Sequence, residues 1–271
     1  MKRLDKLLVE RGLAKSREAA REMIESGIVE VGGIVRDKAA GAFPEDVSVK
    51  VTQAGGATEW VSRGARKLIK GLDELCVDPA GKNCVDIGAS TGGFTQVLLS
   101  RGAARVAAVD VGYGQFAWIL RSNPRVCLLE RTNARFLTRD DIGWDADLIT
   151  VDASFISLRL LLPNLKGLLV PEGRIIALVK PQFEVGRRKA GRGVVRDPAL
   201  HLQALSGIAL FSRESLGLSL LGATYSPIRG PEGNIEFIFL LGAGDDRENG
   251  FDIGSADFLA RLVREAHEKT S

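Results

Sequence analysis

The chain has 271 residues, of which 45% are hydrophobic and 26% charged, enough for one large domain or a medium domain plus a small one. No uncharged run reaches the roughly 18–20 residues of a membrane-spanning helix, so we do not expect an integral membrane protein. The first six residues contain no apolar stretch, and we therefore expect no secretory signal. A net charge of +3 is too small to indicate a class of partner by itself.

Cysteine and histidine usage argues against a disulfide scaffold and against a metal site. The three cysteines, Cys76, Cys84 and Cys127, are odd in number and lack CxxC spacing. The two histidines, His201 and His267, lie far apart in the sequence, which leaves few ligands for zinc. We therefore expect no metal cofactor and a protein of the reducing cytoplasm.

The N-terminal residues predict a small helical segment with a basic surface. Seven basic and only three acidic residues fall within the first 21 positions. Leucines at near-helical spacing predict a first helix that ends at Gly12. Ser16 is placed to cap a second helix that runs to Ser26-Gly27.

Short strands and a linker complete this unit. A strand on each side of Gly32-Gly33 and an alternating strand over residues 47–51 are predicted. Residues 53–58, which include two glycines, predict a linker. We therefore expect a small α+β domain with its linker over residues 1–58 and a second domain over residues 59–271.

The second domain alternates short apolar runs with helical stretches. Four of these runs end at or just before a polar residue: Cys84–Ile87, Val106–Asp110, Leu148–Asp152 and Ile175–Val179. This alternation predicts a Rossmann-like α/β fold, with a doubly wound, mostly parallel sheet covered by helices on both faces. Two further runs, over 219–225 and 235–241, lack a long helix between them, which favours an antiparallel pair.

A glycine-rich loop follows the first predicted strand of this domain and opens a predicted helix. Glycines allow a tight turn and close approach of a ligand, although such a turn also occurs in α/β folds that bind no cofactor. Asp110 lies 22 residues after Gly88, near the offset at which nucleotide-binding folds place an acid for ribose hydroxyls. The spacing differs from the dinucleotide and P-loop patterns, which favours S-adenosylmethionine. The candidate cofactor-binding residues are Asp86, Gly88, Ala89, Ser90, Thr91, Gly92, Gly93, Phe94 and Asp110.

Two charged residues end core strands of the predicted sheet. Asp152 and Lys180 each follow an apolar run, and ligands of open parallel sheets bind outside the carboxyl ends of the strands. A partly desolvated lysine in such a cleft can accept a proton, whereas a single charge there would more often face water. Lys67 and Glu236, each taken alone, are more typical of solvated charges.

Several segments resemble a known family. The first part resembles the RNA-binding domain of ribosomal small-subunit protein four, through Arg3-Leu4-Asp5-Lys6-Leu7-Leu8, Ser16-Arg17 and Gly27–Gly33. The second part resembles the FtsJ-type ribose methyltransferase fold, through Ser62–Leu68, Asp86–Phe94, Val151–Ser157, Leu178–Glu184 and Gly230–Phe237. In this order the two parts resemble the hemolysin A/TlyA family of 2′-O ribosomal RNA methyltransferases, over nearly the whole chain.

This resemblance implies a catalytic tetrad of Lys67, Asp152, Lys180 and Glu236 and S-adenosylmethionine as the cofactor. Lys180 would take or polarise the proton of a ribose 2′-hydroxyl, and the two acids would orient the lysines. Lys67 would help to position the substrate ribose or its phosphate. The implied substrate is ribosomal RNA or a ribosomal subunit, with cytidines of the large-subunit RNA, and also of the small-subunit RNA, as targets.

Two basic surfaces are candidates for RNA binding, because phosphate contacts hold RNA without reading its sequence. The alternative for either surface is a solvated patch without a ligand. The first surface comprises Arg3, Lys6, Arg11, Lys15, Ser16, Arg17 and Arg21. The second lies in the glycine- and arginine-rich segment over residues 186–196, which we expect to overhang the cleft, and comprises Arg187, Arg188 and Lys189.

Two other functions remain open on the sequence alone. One is a non-catalytic RNA-binding or ribosome-assembly factor, against which the intact four-residue set argues. The other, suggested by the word hemolysin, is a membrane-lysing protein, for which we find no spanning segment or signal.

Overall fold

The structure is a computed structural model. It describes residues 2–14, 16–25, 29–32, 34–36, 39, 41–51, 60–186, 191, 193–230, 232–243, 247–248, 251–252 and 255–270. The chain divides into two compact units, Met1–Ser62 and Arg63–Ser271.

Within its described residues, the first unit contains two helices and five short strands. They are β1 (Lys2–Arg3), α1 (Leu4–Glu10), α2 (Arg17–Glu25), β2 (Val29–Val31), β3 (Ile34–Val35), β4 (Ala42–Phe43) and β5 (Val49–Val51). β1 pairs with β4, and β2 lies between β3 and β5; all of these pairs are antiparallel.

The end of the first helix and the start of the second agree with the sequence, and the predicted end of the second at Ser26-Gly27 lies outside the described residues. Gly12, just after α1, has a φ of +68°, which favours glycine. The hydroxyl of Ser16 accepts a hydrogen bond from the Ala19 amide at 3.1 Å and so caps α2. The two helices pack through Leu8 and Ile24, which are both fully buried. The predicted linker over 53–58 lies outside the described residues.

The second unit has an α/β architecture. Its strands are β6 (Asn83–Ile87), β7 (Arg105–Val109), β8 (Val126–Leu129), β9 (Ala146–Val151), β10 (Leu169–Val179), β11 (Ser219–Tyr225), β12 (Phe237–Gly242), β13 (Arg247–Glu248) and β14 (Phe251–Asp252). Its helices are α3 (Ala65–Glu74), α4 (Gly93–Ser100), α5 (Trp118–Arg121), a 3₁₀ turn (Ala134–Phe136), α6 (Arg139–Ile142), α7 (Leu158–Lys166), α8 (Pro181–Glu184), α9 (Pro198–Leu216) and α10 (Ala256–Lys269).

Seven of these strands form one sheet in the order β11-β12-β10-β9-β6-β7-β8. The five strands from β8 to β10 are parallel, and β12 is antiparallel to both of its neighbours. The chain builds outward from β6 in one direction and from β9 in the other, so the sheet has a topological switch point between them. Ligands of open α/β sheets bind outside the carboxyl ends of the strands at such a point.

The core covers both faces of this sheet. Val85, Ile149 and Ala177 face one side, in a cluster that also contains apolar residues of α7, α9 and α10. On the other side, a side chain at Gly71 of α3 would meet Ile238, 3.2 Å away. Burying a Leu, Ile or Val side chain contributes roughly 1.5–3 kcal/mol, so this core holds the strand ends rigidly in place.

The predicted Rossmann-like fold is confirmed. The four apolar runs form β6, β7, β9 and β10, and the proposed antiparallel pair is β11 with β12. The sequence analysis missed β8, which lies at the edge of the sheet.

Candidate active site

The four residues of the predicted tetrad come from four separate elements of the second unit. Lys67 lies in the first turn of α3. Asp152 and Lys180 directly follow the neighbouring parallel strands β9 and β10. Glu236 directly precedes β12, which runs antiparallel to β10 and therefore starts at the same edge of the sheet.

These four side chains form one continuous network. Lys67 Nζ lies 2.6 Å from Glu236 Oε2 and 3.3 Å from Asp152 Oδ2. Lys180 Nζ lies 2.6 Å from Asp152 Oδ1. Two lysines thus lie against two carboxylates, and these contacts offset part of the cost of burying charged groups. The structure brings together all four residues that the family pattern implies.

Burial differs along this network. The Glu236 side chain is 1% exposed and that of Lys67 is 8% exposed, whereas Asp152 keeps 19% of its surface. Burial alone would lower the pKa of Lys67, but the nearby carboxylates of Asp152 and Glu236 outweigh it and raise the pKa above its ordinary value. Lys67 is therefore a stable ammonium ion at neutral pH.

A glycine leaves room for the deepest member of this network. A Cβ at position 230 would lie 2.7 Å from Glu236 Oε1, so Gly230 cannot be replaced without moving the carboxylate. Asn234, 1% exposed, holds the same turn through its side chain, which accepts from the Val195 amide at 2.9 Å and donates to the Gly193 carbonyl at 2.7 Å.

Two residues that the sequence analysis did not single out lie at the open end of the site. Ser154 Oγ accepts a hydrogen bond from Lys180 Nζ at 2.9 Å. Phe155 is 89% exposed, and its ring centroid lies 5.5 Å from that of Phe183. Its φ of +63° is unusual for a residue other than glycine and turns the chain sharply after Ser154. Their position directly after Asp152 is the sequence signal that could have identified them.

The glycine-rich loop connects β6 with α4 and lies against the tetrad. Gly88 and Gly92 have φ values of +80° and +97°. A Cβ at Gly88 would lie 2.8 Å from the Asp152 carbonyl oxygen, so the loop approaches the end of β9 closely. A Cβ at Gly92 would lie 2.4 Å from Leu120 Cδ1. Glycine at both positions is therefore needed for backbone conformation and for space.

The predicted ribose acid lies beside this loop. Asp110 follows β7, and its Oδ2 accepts a hydrogen bond from the Ser90 amide at 2.8 Å. Its Oδ1 accepts from the Gly112 amide at 2.6 Å. The carboxylate is thus fixed at the same edge of the sheet as the loop, next to the switch point.

The predicted cofactor-binding residues of the loop differ in solvent accessibility. Gly88, Ser90 and Thr91 are at least partly accessible. The remaining five, which are buried, are Asp86, Ala89, Gly92, Gly93 and Phe94. Asp86 in particular is fully buried, and its carboxylate accepts hydrogen bonds from Thr95 Oγ1 at 2.7 Å and from Thr150 Oγ1 at 3.1 Å. The Asp86 side chain therefore supports the loop from below instead of facing a ligand above it.

Burial also changes the acidity of Asp86. Loss of solvent raises its pKa to about 7, against the opposing effect of the two threonine hydroxyls. The negative charge of nearby Asp152 acts in the same direction as burial.

In the first unit, three of the predicted RNA-binding arginines surround one acid. Asp5 is fully buried, and its carboxylate is 3.1 Å from Arg3 Nε, 2.9 Å from an Arg17 guanidinium nitrogen and 3.3 Å from Arg21 Nε. Burial would raise the pKa of Asp5, but hydrogen bonds from Arg3 and Arg17 outweigh it and hold the pKa well below its ordinary range. Each of the three arginine side chains remains about half exposed.

The other predicted RNA-binding residues have different surroundings. Lys6 is exposed near Glu10 of the same helix. The Arg11 guanidinium donates to the carbonyls of Glu45 and Val47, so it ties α1 to the segment before β5. Ser16 is the cap of α2 described above. Lys15, Arg187, Arg188 and Lys189 lie outside the described residues.

Comparisons with known proteins agree with this geometry. An S4 domain model matches residues 2–40, and an FtsJ-like methyltransferase model matches residues 60–243. The 16S/23S rRNA (cytidine-2′-O)-methyltransferase TlyA of Mycobacterium tuberculosis is 48% identical over 246 residues, which cover 90% of this chain and 91% of that protein. The chain belongs to the hemolysin A/TlyA family of FtsJ-like methyltransferases.

Two further proteins are similar over more than nine-tenths of their length. The putative rRNA methyltransferase YqxC of Bacillus subtilis is 45% identical over 268 residues, which cover 98% of this chain and 94% of that protein. A solved structure described as a putative hemolysin from Streptococcus thermophilus is 37% identical, with a TM-score of 0.76 and coverage of 99% of this chain and 96% of that one.

Two features are absent from the described residues of this TlyA-family chain. No helix among them has both the length and the apolar character that a membrane span requires. Nor do those residues contain a group of three or more His, Cys, Asp or Glu side chains suited to hold a metal ion.

Proposed function

We propose that this TlyA-family protein uses S-adenosylmethionine to methylate ribose 2′-hydroxyls of ribosomal RNA. Cytidines of the 23S RNA, and of the 16S RNA as a second substrate, are the targets. The observation that carries this proposal is the convergence of Lys67, Asp152, Lys180 and Glu236 beside the loop that begins at Gly88. A ribosomal RNA substrate also implies a cytoplasmic enzyme.

The residues around the loop fit this cofactor. Asp110 is fixed at the end of β7, where its carboxylate can accept hydrogen bonds from the two hydroxyls of a ribose. The partly accessible backbone of Gly88 and Thr91 would pass close to the methionine part. When bound, S-adenosylmethionine supplies a methyl group on a positively charged sulfur, which makes that methyl electrophilic.

Lys180 is the residue best placed to take the proton of the 2′-hydroxyl. Its amine contacts one carboxylate and the hydroxyl of the exposed Ser154, although the Lys180 side chain itself is only 6% exposed. Lys67 contacts two carboxylates, and its raised pKa keeps it protonated, so it is unsuited to act as a base. A positioned base adds roughly 10²–10⁴-fold to the rate, and orientation of the two reactants adds more.

The remaining tetrad residues would hold Lys180 in place. Asp152 bridges the two lysines, and Glu236 balances the charge of Lys67 from beneath. The buried Lys67 ammonium therefore holds the carboxylates of Asp152 and Glu236 in place. This role differs from the one predicted from the sequence, in which Lys67 positions the substrate ribose or its phosphate.

Phe155 supports a single-stranded or flipped nucleotide as the substrate. An almost fully exposed aromatic ring beside the site offers a face on which a nucleobase can stack. A ribose inside a duplex could not reach Lys180 unless its nucleotide were flipped out. Stacking of the base on Phe155 would offset part of the free-energy cost of flipping.

RNA recognition is divided between the two domains in this proposal. The domain over residues 1–58 would bind RNA phosphates through Arg3, Arg17 and Arg21, and the domain over residues 59–271 would transfer the methyl group. The basic residues of the segment over 186–196 would add further phosphate contacts.

Methyl transfer from labelled S-adenosylmethionine to ribosomal RNA tests this proposal. The purified protein is incubated with free 16S and 23S RNA and with both ribosomal subunits, and 2′-O-methyl marks are then mapped. Label in a cytidine ribose is the expected result. RNA binding without any label would favour the non-catalytic alternative.

A further inference from the structure

The Lys180 amine has two partners among the described residues, and both belong to the segment that follows β9. Its nitrogen lies 2.6 Å from Asp152 Oδ1 and 2.9 Å from Ser154 Oγ. An amine nitrogen has three tetrahedral positions besides its bond to carbon. The contact with Ser154 is a hydrogen bond and the contact with Asp152 is a close ion pair, so at most two of the three positions face these partners.

Both partners are hydrogen-bond acceptors toward Lys180. A carboxylate can only accept, and a serine hydroxyl accepts while its own hydrogen rotates away. A neutral amine has two N–H groups and one lone pair. With Ser154 holding one N–H group by a hydrogen bond and the Asp152 carboxylate attracting the other, the third position is left for the lone pair.

The backbone supports this placement of the hydroxyl. Phe155, the residue after Ser154, has a left-handed φ of +63°. Such conformations are unfavourable for residues with a Cβ and persist where the surrounding structure holds them, often at active sites. Lys180 is 5% exposed, whereas Ser154 is exposed at the mouth of the site.

We propose that Ser154 is a positioning residue that, together with Asp152, directs the lone pair of Lys180 at the ribose 2′-hydroxyl. This inference rests on the proposed function, in which Lys180 is the base. The hydroxyl proton passes to the lone pair of Lys180, and the oxygen electron pair forms the new bond to the methyl carbon. The electrons of the broken carbon–sulfur bond remain on sulfur, so charge and atoms balance.

Without Ser154, the amine can rotate about the bond between Cε and Nζ. The Asp152 carboxylate still attracts the amine, but no hydrogen bond then fixes its rotation, and the lone pair is shared among orientations of which only one faces the ribose. The loss acts on the chemical step, because Ser154 is proposed to touch Lys180 and not the RNA. It should therefore lower kcat and leave KM unchanged.

The test compares Ser154→Ala and Ser154→Thr with Ser100→Ala, which removes an exposed hydroxyl at the end of α4. We expect Ser154→Ala to lower kcat about tenfold, the upper range for the loss of one hydrogen bond between neutral groups. KM for RNA and the Kd for S-adenosylmethionine should stay within about twofold. Ser154→Thr keeps the oxygen and should restore most of kcat, and Ser100→Ala should behave as wild type.

Three outcomes would overturn the proposal: an unchanged kcat in Ser154→Ala, a rise in KM without a fall in kcat, or a Ser154→Thr variant as slow as the alanine. Thermal unfolding of each variant separates loss of fold from loss of rate. The proposed function is tested separately, because its failure would show as an inactive wild-type protein. An active wild type with an equally active Ser154→Ala would overturn the role of Ser154 alone.

Discussion

Lys180 Nζ lies 2.6 Å from Asp152 Oδ1, although 28 residues separate the two positions in the sequence. They meet because β9 and β10 are parallel neighbours and end at the same edge of the sheet. The pair lies next to the glycine-rich loop, whose Gly88 would touch the Asp152 carbonyl if it carried a side chain. The ion pair, the ends of β9 and β10 and the glycine-rich loop thus all lie at one edge of the sheet.

Replacement of Lys180 by alanine should abolish methyl transfer and leave cofactor binding intact. In the proposed function this side chain takes the hydroxyl proton, while the proposed cofactor residues lie on the loop and at Asp110. We expect kcat to fall at least about 10²-fold. Calorimetry with S-adenosylmethionine measures binding, and Lys166→Ala, at an exposed lysine of α7, is the matched control. Near-normal turnover would remove Lys180 from the mechanism.

Gly88→Ala should weaken cofactor binding at least about tenfold, because the added Cβ would lie 2.8 Å from the Asp152 carbonyl and must displace the loop. Gly143→Ala is the control, since Gly143 has a similar φ of +79° but nothing within 4 Å of its Cβ. Both variants should lose about 1–2 kcal/mol of stability from the backbone conformation. Equal cofactor affinity in the two would contradict the role of the loop.

Asp86→Asn should flatten the dependence of stability on pH. The folded protein retains the Asp86 proton up to about pH 7, whereas the unfolded chain releases it near its ordinary value of 3.8. Stability therefore falls as pH rises from about 4 to 7, by up to about 4 kcal/mol for this group. Melting temperatures at pH 5 and pH 8 measure the effect, with the exposed Asp140→Asn as control. If the stability of Asp86→Asn fell with rising pH as steeply as that of the wild type, this would argue against a raised pKa of Asp86.

Phe155→Ala should lower kcat/KM for RNA by between about 5-fold and 100-fold, the range for loss of one base–aromatic stack. The ring is exposed, so the fold should not be affected. Phe136→Ala removes another exposed phenylalanine, 70% accessible, from a different element. Equal losses from both variants would indicate a general effect of surface aromatics, without a stacking site at Phe155.

Asp5→Asn distinguishes the effect of net charge on RNA affinity from the effect of arginine placement in the first domain. The change makes the basic surface more positive, and by charge alone RNA affinity should rise. Because Asp5 holds Arg3, Arg17 and Arg21 in place, we expect RNA affinity to fall about tenfold instead. Asp46→Asn makes the same charge change at an exposed position and should not weaken binding. Tighter binding by Asp5→Asn would contradict the organising role, and thermal unfolding shows whether the domain remains folded.

Much of the fold could be predicted because its signals are local. Each core strand is a short apolar run followed by a polar group, and parallel topology then brings Asp152 and Lys180 to one edge. The edge strand β8 was missed because its four residues are only partly buried, so its pattern is not distinct from its neighbours.

The tetrad required more than local patterns. Lys67 and Glu236, each taken alone, resemble solvated charges, and only the family pattern assigned them to the site. The structure buries both because each balances the other across 2.6 Å. Ser154 and Phe155 were not assigned to the site; their position after Asp152 could have pointed to them, but nothing in the sequence shows the left-handed turn at Phe155.

The position of β12 between β10 and β11 has a consequence for protein synthesis. A nascent chain that ends before residue 236 lacks the Glu236 carboxylate that contacts Lys67. It also lacks β12, the strand that pairs with both β10 and β11. The proposed catalytic centre is therefore incomplete until late in translation. An unfinished copy still attached to a translating ribosome could not modify the RNA around it.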